Sequence, residues 1–407
     1  MFIRNLATAM TSQSLRIHLL WSLIALSIAG YAQDEEFEEI RFGDDEFATR
    51  EIAKPAEEEV IKKISVRGKV VDKDSQESLP FAHVQIGEIR TVTNLDGDFN
   101  ILIKSNEASE IHVSFIGYIA YKAPLDPNET ELRIELSPTV TELEAVVVKT
   151  GRSIVEDVIR NLPTNYILEN QFMTCYYKES IKQQEKFSYL AEGILDVFQP
   201  SEVSNEKTLI SPVRTRKQES EAAKDNMVLV YGHASDMLQS LVRREKSFIS
   251  SDMLDHYEYE YMGASTYDGR NVFIVDFEPK TRKGSSRGKM YIDETSYAII
   301  KAEYSPLLRT NTLWDEVHWV EEFDADIDGI WDLNRVTYAG TWYQDDLLYT
   351  YNSLLVVNES EIVTEVPHFD IVLGDRDVFY DAAGDFSDEF WTGHNYIKLN
   401  KSELSSM

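Results

Sequence analysis

Four short patterns in the chain carry residue types that could do covalent or metal chemistry. Gly284-Ser285-Ser286-Arg287-Gly288 has the G-x-S-x-G spacing of a nucleophile elbow, which presents a serine on a sharp turn between a strand and a helix. Here the preceding stretch is basic and polar, and MYIDETSYAIIKAEY behind it reads as strands. The same glycines sit one residue too close for a phosphate-binding loop, and Met290 stands where a Ser or Thr would meet magnesium. His318-Trp319-Val320-Glu321 has the H-x-x-E spacing of a zinc site, with His368 or His394 available as a third ligand. Zinc needs its ligands to converge, and in a strand residues i and i+3 point to opposite faces. Asp324 to Gly329 opens like a calcium loop, but its twelfth position is Arg335 where a bidentate Glu is required. A hairpin turn with acidic decoration accounts for it, with weak adventitious Ca²⁺ binding as the alternative. Cys175 lies in an alternating run and reads as a buried structural thiol, since nothing nearby supplies a base. The expectation is therefore no catalytic, cofactor-binding or metal-binding residue.

Binding chemistry has three further candidates. Basic residues gather at Arg214, Arg216 and Lys217, at Arg243 and Arg244, and at Lys283, Arg287 and Lys289. As solvated loops they do nothing specific; if they converge they form an anion contact. An apolar set, Val272, Ile274, Tyr291, Ile299 and Val336, either lines a cavity or forms an ordinary core. The run containing Glu142, Ala145, Val146, Val147 and Val148 could offer a strand edge to a partner's strand.

The elements that must position these residues begin after an addressing segment. Arg4 and Arg16 precede the apolar run Leu19 to Ala29, followed by Gly30-Tyr31-Ala32. That order reads as a secretory signal peptide over residues 1–32, and residues 33–62 as an acidic flexible leader. The formal charge of −31, from 71 acidic and 40 basic residues, opposes bulk attraction to nucleic acid. Cys175 is the single cysteine, so no intramolecular disulfide forms. Twenty-one Tyr, 18 Phe and 6 Trp suit a β-rich protein.

From residue 64 to 150 short alternating runs follow one another: ISVRGKVVD, FAHVQIG, TVTNLDGDFNILI, EIHVSFIGYIAYK, ELRIELSP and ELEAVVVKTG. About seven strands with turn signals between them read as a β-sandwich. The series GKVVD, LPFAHVQIG, TVTNLDGDFNI, IHVSFIGY and LEAVVVKTG resembles the carboxypeptidase-regulatory-like, or transthyretin-like, module of exported Bacteroidota proteins. That resemblance implies a structural or docking module in place of a peptidase centre.

Residues 151–407 read as a larger antiparallel β domain led by an amphipathic helix. Ile154, Val155, Val158, Ile159 and Leu162 recur at helical spacing, and Pro163 marks the expected end. FMTCYYKESIKQ and KFSYLAEGILDVFQ predict a hairpin, residues 200–226 a long polar loop, and Ala234 to Arg244 a helix. A strand meander runs from Tyr257, and the tail is expected to pack back through Phe390 and Trp391. The hairpin rhythm resembles lipoprotein-carrier-like half-barrels, so the fold class is mostly β: a sandwich plus a sheet able to curl into a half-barrel. The ending AVVVKTG also resembles TonB-dependent receptors. However, strands of a 22-stranded barrel at about 10 residues each would consume nearly all the chain after residue 150.

These features point to a non-catalytic protein of the periplasm or outer membrane, working through protein or glycan contacts. The alternative is a carrier or sensor for lipid or another apolar ligand, held in a half-barrel cavity.

Overall fold

The computed structural model describes residues 63–104, 110–126, 131–139, 149–184, 186–201, 204, 206–220, 234–308, 312–326, 328–374, 377–384 and 394–406. The signal peptide and leader, the edge residues Glu142, Ala145, Val146, Val147 and Val148, and Phe390 and Trp391 lie outside the described residues.

Alternation builds the first module. Strands β1 (Lys63–Asp72), β2 (His83–Ile86), β3 (Ile89–Val92), β4 (Asp98–Lys104), β5 (Glu110–Ser114), β6 (Tyr121–Pro124) and β7 (Glu131–Leu136) form two sheets, ordered β4-β1-β7 and β3-β2-β5-β6. Val66, Val70, Val84, Ile101, Val113 and Ile134 meet in the core between them. At the β3–β4 turn, Asn94 Oδ1 accepts from the N–H groups of Asp96 and Asp98, both at 2.9 Å. Gly97 sits there at φ +78°, and a Cβ on it would come 2.6 Å from the Val70 carbonyl. Glycine is thus required twice over, by conformation and by space.

The second module is one open, ten-stranded antiparallel sheet. Its strands are β8 (Gln171–Gln183), β9 (Lys186–Gln199), β10 (Leu209–Glu219), β11 (Tyr257–Tyr267), β12 (Arg270–Pro279), β13 (Ser286–Asp293), β14 (Ile299–Pro306), β15 (Glu316–Ala325), β16 (Trp331–Gln344) and β17 (Leu347–Ile362). The order is β10-β9-β8-β17-β16-β15-β14-β13-β12-β11, with the last strand returning beside the first hairpin. The edges are β10 and β11.

Both faces are covered, for different reasons. On the inner face, Cys175, Val275, Met290, Ala302, Val336 and Leu355 join one apolar cluster with helix α1 (Gly151–Asn165) and the segment 234–256. Helix α1 starts where Thr150 accepts from Ser153 N, and it turns Ile154, Val155 and Val158 onto the sheet. On the outer face, Tyr176, Ile194, Leu354 and Val356 pack with Val92 of the sandwich and with Ile397. The described residues of the sandwich and the large sheet belong to one compact unit. Among the described residues no helix is long and apolar enough to cross a membrane, which says nothing of a β-barrel.

Three local expectations are corrected. Helix α1 runs through Pro163 to Asn165: the proline costs the helix one bond, to the Ile159 carbonyl, and the helix ends two residues later. The stretch expected as loop holds β10, concealed because it buries only Ile210 and a charged residue: Arg216 is buried and bonds Glu192. Of the expected helix at 234–244, only α2 (Ala234–Met237) forms. The N–H of Leu241, which would continue it, donates instead to Glu321 Oε2 at 2.7 Å.

Candidate functional site

The structure separates the chemistry-bearing patterns. Ser286 opens β13 and is followed by strand, not helix. Gly288 is needed for packing: a Cβ there would lie 2.0 Å from the Glu303 carbonyl of β14. Gly288→Ala is expected to destabilise the protein by at least ~1–3 kcal/mol through overpacking, read as a lower thermal midpoint. His318 is exposed, whereas Glu321 is buried on the inner face, accepting from Tyr304 Oη at 2.5 Å. His368 stands on an exposed stretch beside Asp370, and His394 lines a cleft with Thr174 and Asn395. Asp326 caps its own turn through Asp328 N and Ile330 N, both at 2.9 Å, while Asp324 turns toward Tyr267. Among the described residues no group of three or more His, Cys, Asp or Glu is placed to hold a metal ion.

Cys175 is fully buried, and burial pushes its thiol far above the usual range. A thiol reagent is expected to leave the native protein unlabelled at neutral pH and to label it completely in denaturant. Rapid labelling of native protein would contradict this burial.

The basic residues are dispersed. Arg214, Arg216 and Lys217 lie on edge strand β10, with Arg216 buried against Glu192 and Lys217 over the Tyr380 ring at 4.2 Å. Arg243 binds the carbonyls of Pro200 and Ile167, and Arg244 that of Gln239. Lys283 and Arg287 are exposed, and Lys289 is 3.8 Å from Asp276. Strands β9, β8, β17, β16, β15 and β14 stand between β10 and β13, so the first and third groups do not meet along the sheet. The apolar set also divides. Directly opposed residues of antiparallel strands share a face, which puts Val336, paired with Glu321, on the inner face. Ile299 joins it through Ile292, and Val272 is buried in the same cluster with Tyr291 packed against it, whereas Ile274 lies outside that cluster.

The densest chemistry lies where the sandwich meets the outer face, at residues 239 positions apart in sequence. His83 Nε2 is 2.8 Å from Glu322 Oε2, and its Nδ1 is 2.8 Å from the Tyr267 hydroxyl. Tyr267 donates to Asp324 Oδ1 at 3.2 Å and accepts from Ser114. Glu322 also binds Arg335 through Nε at 3.0 Å and a terminal nitrogen at 2.7 Å, with Lys301 at 3.5 Å. Arg335 lies over the Phe81 ring at 4.3 Å. Burial alone would lower the His83 pKa, but the carboxylates of Asp324 and Glu322 outweigh it and raise it to about 9. Burial likewise pushes Glu322 up, and Arg335, His83 and Lys301 overcome it, holding its carboxyl well below the usual range. An imidazole held charged at neutral pH is a poor general base, so the geometry suits a lock between modules better than proton transfer.

The sequence conceals this cluster because each member reads as an ordinary polar strand residue. The signal available was Trp331 to Val336, where Asp332, Asn334 and Arg335 interrupt an apolar stretch whose six residues are all buried.

On the inner face, Glu179 accepts from the hydroxyls of Tyr177 at 2.8 Å, Tyr351 at 3.2 Å and Tyr189 at 3.4 Å. Burial dominates those bonds and raises its pKa to about 7. Segment 234–256 covers the neighbouring strands. Leu238, Leu241, Phe248 and Ile249 point into the cluster, with Phe248 stacked 4.0 Å from Phe277. Four-residue turns close at Ser240–Arg243, Ser247–Ser250 and Ser250–Met253.

Residues 66–148 match the CarboxypepD_reg-like domain family. No curated protein matches the chain. Among solved structures, the chain is similar to a Vibrio parahaemolyticus domain assigned to outer membrane lipoprotein sorting, at 12% identity. That similarity covers 53% of this chain and 94% of the other, with a TM-score of 0.28. A DUF1329 family protein from Desulfovibrio piger is similar at 15% identity over 51% and 93%, with a TM-score of 0.24. The MucA/MucB complex of Pseudomonas aeruginosa is similar at 9% identity over 53% and 99%, with a TM-score of 0.17. Scores this low carry no argument about function.

Proposed function

We propose that this chain is a non-catalytic binding protein of the cell envelope that acts through contacts with a protein or glycan. The observation that carries this reading is the buried cluster of His83, Glu322 and Arg335, which fixes the sandwich to the outer face of the large sheet. Ionic groups that could do chemistry are spent there on joining two modules into one platform. The other reactive patterns point apart, as His318 and Glu321 do.

The test has two arms. Expressed with its own first 32 residues in a diderm bacterium, the protein is expected in the periplasmic or outer-membrane fraction, shortened by those residues in mass. The purified protein is expected to hydrolyse ester, peptide and phosphoester probes no faster than buffer. Cytoplasmic retention of the intact chain would overturn the envelope reading. Turnover abolished by Ser286→Ala, His318→Ala or Glu321→Gln would overturn the non-catalytic one.

A second reading, a carrier or sensor for an apolar ligand, is favoured by segment 234–256, whose apolar side chains occupy the inner face through mainly irregular backbone. Such a segment is a candidate for displacement. Native mass spectrometry of gently purified protein decides between them: a stoichiometric apolar adduct that Leu241→Ala weakens supports the carrier, and a bare mass supports protein or glycan contacts.

A further inference from the structure

The outer face carries a groove that neither module forms alone. Its volume is about 330 Å³, within the ~300–1,000 Å³ range of small-molecule sites. The floor is the shared face of β16, β17 and β8, where Ala339 pairs with Asn352 and Leu354 with Lys178. One wall is Leu95, on the β3–β4 turn of the sandwich and 57% exposed. Beside it stand Ile397 and helix α3 (Lys401–Ser406), whose first N–H donates to Asp96 of the same turn.

Two ammonium groups reach this otherwise mainly apolar space, and they differ in what neutralises them. Lys178 Nζ is 2.7 Å from Glu403, whose second oxygen caps Asn400 N at 2.8 Å. Lys182 lies over the Phe187 ring at 4.4 Å and makes no ion pair with a carboxylate among the described residues. An apolar groove with one cation at its side complements a molecule that has one hydrocarbon chain and one negative end.

We propose that this groove binds a medium-chain fatty carboxylate, with the carboxylate on Lys182 and the chain along Phe187, Ala339, Leu354 and Ile397. The site lies on the opposite face from segment 234–256 and stands independently of how the inner face is used.

The test is calorimetric titration of the whole purified protein with dodecanoate, below its micelle concentration. Saturable one-to-one binding is expected, and dodecanol should bind at least tenfold more weakly. Lys182→Met should weaken dodecanoate about tenfold or more, as loss of a charge-assisted contact implies. Ala339→Trp should abolish binding with an unchanged circular dichroism spectrum. Should that variant misfold, the exposed position Leu95→Glu serves instead and should weaken binding at least tenfold. Leu241→Ala, on the inner face, should leave dodecanoate affinity within twofold. Absence of saturable binding would overturn the proposal, as would dodecanol binding equally well or binding that survives the groove substitutions.

Discussion

Glu322→Gln is expected to lower the unfolding free energy by about 3–5 kcal/mol at pH 7, the range for removing one partner of a buried ion pair. The substitution leaves Arg335, Lys301 and His83 facing a neutral amide, with Arg335 3% and His83 8% exposed at their side chains. His83 can relieve part of the strain by giving up its proton, since Asp324 and Tyr267 alone hold it less firmly. Urea denaturation followed by tryptophan fluorescence measures the loss. A change below about 1 kcal/mol would mean that the cluster is solvated and does not join the modules. The pH dependence follows from the same residues. The folded-state pKa of His83 is raised from 6.5 to about 9, so the folded state binds the extra proton. The resulting stability is complete below pH 6.5 and is lost as pH rises through 9. His83→Gln should flatten stability across that window, and an unchanged slope would show that His83 is neutral in the native protein.

The strands were legible where burial is carried by apolar residues. From Tyr257 onward the expected meander corresponds to strands β11 to β17, which are rich in aromatic and β-branched residues. Strand β10 was not legible, since it buries only Ile210 and Arg216, and the partner that stabilises Arg216, Glu192, lies on another strand. Segment 238–244 looked helical because Leu238, Leu241 and Val242 have helical spacing. A side chain 80 residues away takes the N–H that the helix needed. The module junction illustrates the same limit. Periodicity reports which face of an element is apolar, but a buried His, Glu and Arg are distinguishable from surface residues only once the topology brings them together.

Phe248→Ala should loosen segment 234–256 before it loosens the sheet. In a rigid core the substitution would cost about 3–5 kcal/mol, and Phe248 qualifies by contact: it is 3% exposed, stacked on Phe277 and edge-on to Tyr304. Its surroundings differ from an ordinary core because the segment is mainly turns, joined to the sheet by scattered bonds in place of a backbone ladder, with Arg243 on Gln171 at 2.5 Å and Arg244 on Glu321 at 3.3 Å. Leu241 N reaches Glu321, Gln199 reaches the Leu238 carbonyl at 3.0 Å, and Tyr259 reaches the Phe248 carbonyl at 2.5 Å. The loss of packing should therefore appear as local opening, which limits the global loss to the free energy of detaching the segment. Hydrogen exchange read by mass spectrometry should rise by at least tenfold over residues 238–253, with β8, β16 and β17 unchanged. An apolar dye should then bind the exposed inner face. A uniform rise across the sheet, with no dye bound, would show that the segment is an integral part of the core. The carrier reading would then lose the observation on which it rests, and recognition would fall to the outer surfaces.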